Sequence, residues 1–188
     1  MTQIDASLLA DFLKESLHQN QYPRLTVTSN SMLPLLRRGD QIVLESVRIT
    51  ELQPGDIITI LHQAQLLTHR YWGTLKQDGQ EQLLTRGDRP LQFDAPTPGE
   101  NLVGRVAQRM RQGHTLSLQA GWGEWLNRRL AQLSQYEWRW FAAGHAAHTM
   151  TLSRQTSLTT RILRRVLLLS STLLTFLVDK GSHVLNQA

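Results

Sequence analysis

Between residues 24 and 111 the chain never settles into helical periodicity. Short runs rich in β-branched and apolar residues recur at 25–27, 41–44, 56–61, 65–71, 82–85 and 102–106. Turn formers separate them: Gly39-Asp40, Pro54-Gly55-Asp56, Asp78-Gly79, Gly87-Asp88 and Pro96-Thr97-Pro98-Gly99. Proline removes a backbone donor and fixes φ, while glycine reaches the left-handed region, so each cluster ends a strand. Asp78-Gly79 between two extended runs predicts a hairpin. No helical pattern alternates with the strands, as a parallel sheet would require. The expected fold is mainly β: a compact domain of short strands.

Helical patterns flank this region. Leu8, Leu9, Phe12, Leu13 and Leu17 recur at helical spacing over residues 5–19, with Asp5 as N-cap, and Tyr22-Pro23 ends the run. Residues 122–141 hold four of the five tryptophans, with Leu126, Leu130 and Leu133 at helical spacing. A segment rich in Ala, His, Ser and Thr leads to about residue 160 and reads as a loop. Beyond it lie Arg161, Arg164 and Arg165, and an apolar run over 166–178. The predicted organisation is an N-terminal amphipathic helix (1–22), a β domain (23–113) and a helical C-terminal extension (114–188).

The 166–178 run is 13 residues long, short of the ~20 that a perpendicular membrane span needs. On a helical wheel the three arginines, Ser171, Thr172 and Thr175 share one side, and the leucines, Val166, Phe176 and Val178 take the rest. That pattern suits a helix lying in a bilayer interface, and equally one packed on the domain. Charge agrees with the first option. Residues 1–114 hold 12 basic and 12 acidic side chains, whereas 115–188 hold 8 basic and 3 acidic. Residues 161–178 are therefore a candidate contact for an anionic membrane surface, and were the run to insert, the arginines before it would hold the β domain on the cytoplasmic side. The basic residues there are spaced by leucines rather than striped with aromatics, so no nucleic-acid partner is expected. Residues 1–20, with Asp5, Asp11, Lys14 and Glu15, lack the basic start and apolar core of a signal peptide.

Three patterns carry candidate chemistry. Ser29-Asn30-Ser31-Met32-Leu33-Pro34 precedes Gly39-Asp40. Pro54-Gly55-Asp56-Ile57-Ile58 precedes Leu66-Leu67-Thr68-His69-Arg70-Tyr71. Thr85-Arg86-Gly87-Asp88 runs on to Asp94. The Ser31 hydroxyl is a poor nucleophile until a neighbour takes its proton. His69 can be neutral and accepting at working pH. An aspartate on its far nitrogen fixes the tautomer and stabilises the imidazolium. The Ser31 backbone N–H and the Ser29 hydroxyl are candidate oxyanion donors. Alone, the first pattern reads as a polar turn.

Together, in order, over residues 24–107, these boxes resemble the signal peptidase I family. The histidine is similar to the base of the endoplasmic-reticulum and archaeal branch, where common bacterial enzymes use lysine. The resemblance implies a serine endopeptidase that removes a leader or signal segment from a peptide or preprotein. It implies Ser31 as nucleophile, His69 as base, Asp94 as third member, Asp88 as a supporting acid and Ser29 in the oxyanion hole. Asn30 stands where the family usually has glycine. The family's usual N-terminal membrane tether has no counterpart in residues 1–20, so a dedicated peptidase for a membrane-proximal leader is as consistent as general secretion. Two other readings stand beside it: a catalytically inactive peptide-binding module docked to a membrane or partner, and a self-cleaving SOS-regulator-type peptidase. The second needs a lysine base and a scissile arm ahead of the serine, and no Ala-Gly or Cys-Gly bond precedes Ser31.

Only Lys14, Lys76 and Lys180 are available as an alternative base. Lys76, seven residues past His69 in a continuing strand, is expected on the opposite face and ~23 Å away. With no cysteine in the chain, disulfides and thiolate chemistry are excluded. No cofactor is expected. His145 and His148 offer two ligands with no third nearby, so no metal site is expected. His18, His62, His114 and His183 are read as turn or terminal residues.

Overall fold

The strand boundaries follow the turn signals closely. The computed structural model describes residues 5–77, 79–142 and 158–185. Eight strands form one antiparallel sheet: β1 (Arg24–Thr26), β2 (Gln41–Glu45), β3 (Ile57–His62), β4 (Gln65–Gln77), β5 (Gln80–Arg86), β6 (Thr97–Pro98), β7 (Leu102–Arg111) and β8 (His114–Ser117). Their order is β1-β2-β7-β3-β4-β5-β6, with β8 added to the far half of β7. β4 and β5 join at residues 78–79, where Gln77 faces Gln80 and Gly79 takes φ +78°. The Asp-Gly hairpin is where the sequence puts it.

Two features depart from expectation. The sheet runs on through β8 to Ser117, so the proposed boundary at 113 cuts a hairpin rather than a linker. Also, β4 carries a bulge between Tyr71 and Gly73, leaving Trp72 without a partner opposite. An extra residue reverses the in-out alternation beyond it. The argument that Lys76 faces away from His69 therefore fails. Lys76 is excluded instead by position, since it lies exposed at the far end of β4, opposite Glu81.

Three helices dock on the sheet: α1 (Ala6–His18), α2 (Gly121–Ala142) and α3 (Leu158–Leu185). Asp5 caps α1 as expected, accepting from the backbone N–H and the hydroxyl of Ser7. Those bonds hold its carboxyl below the ordinary carboxylate range. Ala10, Leu13 and Leu17 are buried, while Leu8 and Phe12 of the same periodic set point outward. From α2, Leu126 and Leu130 enter the main core beside Ile42, Leu44, Ile57, Val103 and Val106. A smaller core of Leu52, Ile58, Ile60, Tyr71 and Leu83 lies along β3, β4 and β5.

α3 is rotated away from its apolar stripe. Ser171 and Thr175 face the protein and are buried, whereas Val166, Leu169, Leu173, Phe176 and Leu177 are 50–69% exposed. Val178 is the large apolar side chain that α3 buries in the core. The helix is pinned by Asp179, which accepts from Arg109 Nη2 and from Arg111 Nη1, the latter at 2.9 Å. Burial pushes the Arg109 guanidinium below its ordinary value, and the bond to Asp179 opposes that shift. Among the described residues no helix is long and apolar enough to cross a membrane.

Candidate active site

Ser31 opens a short turn-rich segment leading to β2. Met32, Leu35 and Leu36, the next apolar residues, are at most 2% exposed. These anchors fix the loop while leaving Ser31 part-exposed at its start. The ends are tied by side chains. Asn30 Oδ1 accepts from the Arg38 backbone N–H at 3.0 Å, and Asp40 Oδ2 from that of Arg37 at 2.9 Å. Arg109 and Arg111, from β7, both donate to the Leu35 carbonyl, and Arg111 also clasps Asp40. Asn30 thus closes this turn with its amide, a bond that glycine cannot supply.

His69 lies in β4, opposite Ile58 of β3, and is 5% exposed. Its Nε2 is 2.9 Å from Ser31 Oγ, and its Nδ1 is 2.7 Å from Asp94 Oδ2. A carboxylate only accepts, so Nδ1 carries the proton and the Nε2 lone pair is left for the serine hydroxyl. Asp94 is itself positioned twice from β5: its carboxylate accepts from Thr85 Oγ1 at 2.7 Å, and its backbone N–H donates to the Thr85 carbonyl at 2.9 Å. Ser29 Oγ stands 3.1 Å from Ser31 Oγ, and the Ser31 N–H points to it at 3.5 Å. Four of the five predicted residues therefore converge: Ser29, Ser31, His69 and Asp94.

Asp88 faces elsewhere. Its two oxygens take a bidentate pair from Arg70 at 2.7 and 2.6 Å. Arg70 is fully buried and also donates to the Gly55 carbonyl and to Asn127 Oδ1 of α2, each at 2.6 Å. Arg70 follows His69 directly, so this network braces the strand that carries the histidine. Both side-chain hydrogen bonds of Asp88 go to Arg70, and none joins it to Ser29, Ser31, His69 or Asp94.

Sequence reasoning missed four contributors. Thr85 lay in a quoted box but had no role until Asp94 was seen against it. Asn127 gave no signal, because its partner is 57 residues away. Arg86 lies 5.5 Å from the ring centres of both Trp72 and Phe93, and donates to Ser134 of α2. Phe93 meets Trp138 edge-on, which packs the residue beside Asp94 onto α2. The fourth is Gly87. A Cβ there would come within 3.0 Å of the Ser31 carbonyl and 3.1 Å of His69 Nε2. The adjacent Arg89 N–H donates to that same carbonyl at 2.9 Å. Only glycine lets this loop pass so close to the pair.

Among the described residues no group of three or more His, Asp or Glu side chains is set to hold a metal ion. His145 and His148 fall outside the described residues, as does the loop expected before residue 160. Comparison with known proteins finds no matching family model and no matching curated protein.

Proposed function

We propose that this chain is a serine endopeptidase of the signal peptidase I type, with Ser31 as nucleophile, His69 as general base and Asp94 as the orienting carboxylate. The observation that carries the reading is the unbroken line from Ser31 Oγ through both ring nitrogens of His69 to Asp94, at 2.9 and 2.7 Å. Three residue types in these roles, on three separate segments, are what acyl transfer to serine requires.

In the first step Ser31 Oγ bonds to the scissile carbonyl carbon while its proton passes to His69 Nε2. The carbonyl electron pair moves onto oxygen, beside the Ser31 N–H and the Ser29 hydroxyl. Asp94 stabilises the imidazolium without taking its proton. The intermediate collapses as the C–N bond breaks, and His69 gives its proton to the leaving amine. Water then repeats the sequence on the acyl-enzyme, with His69 again as base, and Ser31 is restored. The substrate in this reading is the leader or signal segment of a peptide or preprotein.

A fluorophosphonate probe tests the chemistry directly. It is expected to label the native protein at Ser31, and to leave Ser31→Ala unlabelled. In His69→Ala the labelling rate falls roughly 10²–10⁴-fold, the usual contribution of a general base. Equal labelling of all three proteins overturns the proposal and favours a non-catalytic peptide-binding module.

Membrane association belongs to the same proposal. The outward row of Val166, Leu169, Leu173 and Leu177 is supported as a bilayer contact by the exposed Arg165 and by Arg161 and Arg164 earlier in the helix sequence. Apolar burial combined with attraction to anionic headgroups is how such helices hold. The site would then work at the cytoplasmic face. The native protein is expected to pellet with phosphatidylglycerol-containing vesicles, and the Leu169→Asp, Leu173→Asp double variant to stay in the supernatant. A native protein that never pellets removes the membrane from the proposal.

A further inference from the structure

α3 closes one side of the nucleophile loop. Leu33 and Pro34, the second and third residues after Ser31, face Leu168 and Phe176 across a groove of about 350 Å³. That is within the range of sites that hold a small ligand or a few side chains. The groove is tied to the nucleophile at two points. One wall is the segment that follows Ser31, and Arg89, which also lines the groove, donates its N–H to the Ser31 carbonyl.

Its floor is apolar and its rim is cationic. Arg37, Arg89 and Arg111 line it together with one carboxylate, Asp179, so positive charge is in excess. Asp40 is held by Arg111 at 2.7 Å, and its ion pair with Arg37 is longer, at 3.6 Å. The Arg37 side chain stays 45% exposed beside the groove. A guanidinium there attracts a carboxylate, and an ammonium in the same place would meet like charge.

We propose that this groove is a substrate subsite, which takes a peptide segment carrying a bulky apolar side chain next to an aspartate or glutamate. The apolar side chain lies against Leu33, Pro34, Leu168 and Phe176, and the carboxylate meets Arg37. The proposal rests on the peptidase reading for its direction relative to Ser31. Its consequence is that the C-terminal helix, and not the β domain alone, selects what is cleaved.

The probe is an array of immobilised dodecapeptides, randomised at three central positions in a Gly-Ser frame. It is overlaid with fluorescent Ser31→Ala protein of full length, which binds without turnover. Peptides pairing Leu, Ile, Met or Phe with Asp or Glu are expected to retain about tenfold more protein than those pairing them with Lys or Arg. Adding Arg37→Glu shifts that preference toward Lys and Arg, and adding Phe176→Ser removes the preference for bulky apolar residues. Both changes are on exposed side chains, and a native-like cooperative thermal transition verifies each fold. An array without preference, or one whose preference neither variant alters, overturns the subsite. Labelling of native Ser31 by the fluorophosphonate separates the two proposals. If labelling succeeds and the array shows no preference, the subsite fails alone; if labelling fails and the preference holds, the subsite stands and the peptidase reading falls.

Discussion

Asp88 and Asp94 sit six residues apart after one strand, and each has both position and partner well defined. Asp88 faces a guanidinium and Asp94 faces an imidazole. A guanidinium keeps its charge at any working pH, so the Arg70–Asp88 pair is a fixed strut. An imidazole gains and loses its charge within the neutral range, so the His69–Asp94 pair can follow a reaction. Burial sharpens the contrast. Asp88 keeps 6% of its side chain exposed, whereas Asp94 keeps 19%. What separates the structural acid from the one proposed for catalysis is the partner it faces, and hardly its place in the chain.

Two substitutions test that division, the larger effect first. Asp94→Asn keeps the shape but removes the charge that stabilises the imidazolium and puts an amide donor where only acceptors select the His69 tautomer. Fluorophosphonate labelling at Ser31 is expected to slow by roughly 10³–10⁴-fold, with the urea unfolding midpoint little changed. Asp88→Ala should do the reverse. It leaves the Arg70 guanidinium buried with its charge unpaired, at a cost of roughly 3–5 kcal/mol in unfolding free energy. The surviving folded protein should still label, because no member of the Ser31–His69–Asp94 line is touched. A labelling collapse in Asp88→Ala with unchanged stability would erase the distinction, and so would a large stability loss in Asp94→Asn.

The elements that could be read from sequence were those set by local rules. Leucine spacing and an Asp cap gave α1, and Asp-Gly gave the β4–β5 turn. The strand runs between glycines and prolines gave most of the sheet. Ser31, His69 and Asp94 were legible because their boxes occur in order, although no single box implied a hydrogen bond. The unread parts depend on distant packing. The bulge at Trp72 is marked in the sequence by Gly73 alone, which takes φ +143°, and it reversed the face assigned to Lys76. Asp88 could be named as important, but its role depended on Arg70 and Asn127 meeting across 57 residues. The helical wheel put Ser171 and Thr175 on one side of α3 and Val178 on the other, yet all three are buried, while Thr172 and Arg165 from the polar set are exposed. The face that meets the protein is thus rotated from the one the wheel drew, because packing and not the apolar stripe sets it.

That rotated docking has a thermodynamic consequence. The hydroxyls of Ser171 and Thr175 bond to carbonyls of their own helix, so among the described residues of α3 Asp179 carries the polar contact to the sheet. When α1 leaves the sheet, Ala10, Leu13 and Leu17 enter water, and apolar hydration raises the heat capacity. When α3 leaves, Val178, Leu174 and the part-buried Leu167 and Leu168 are the described apolar side chains that do so. The wall of the groove beside Ser31 thus adds less to the heat capacity of unfolding than its leucine content suggests, since Leu169, Leu173 and Leu177 are in water already.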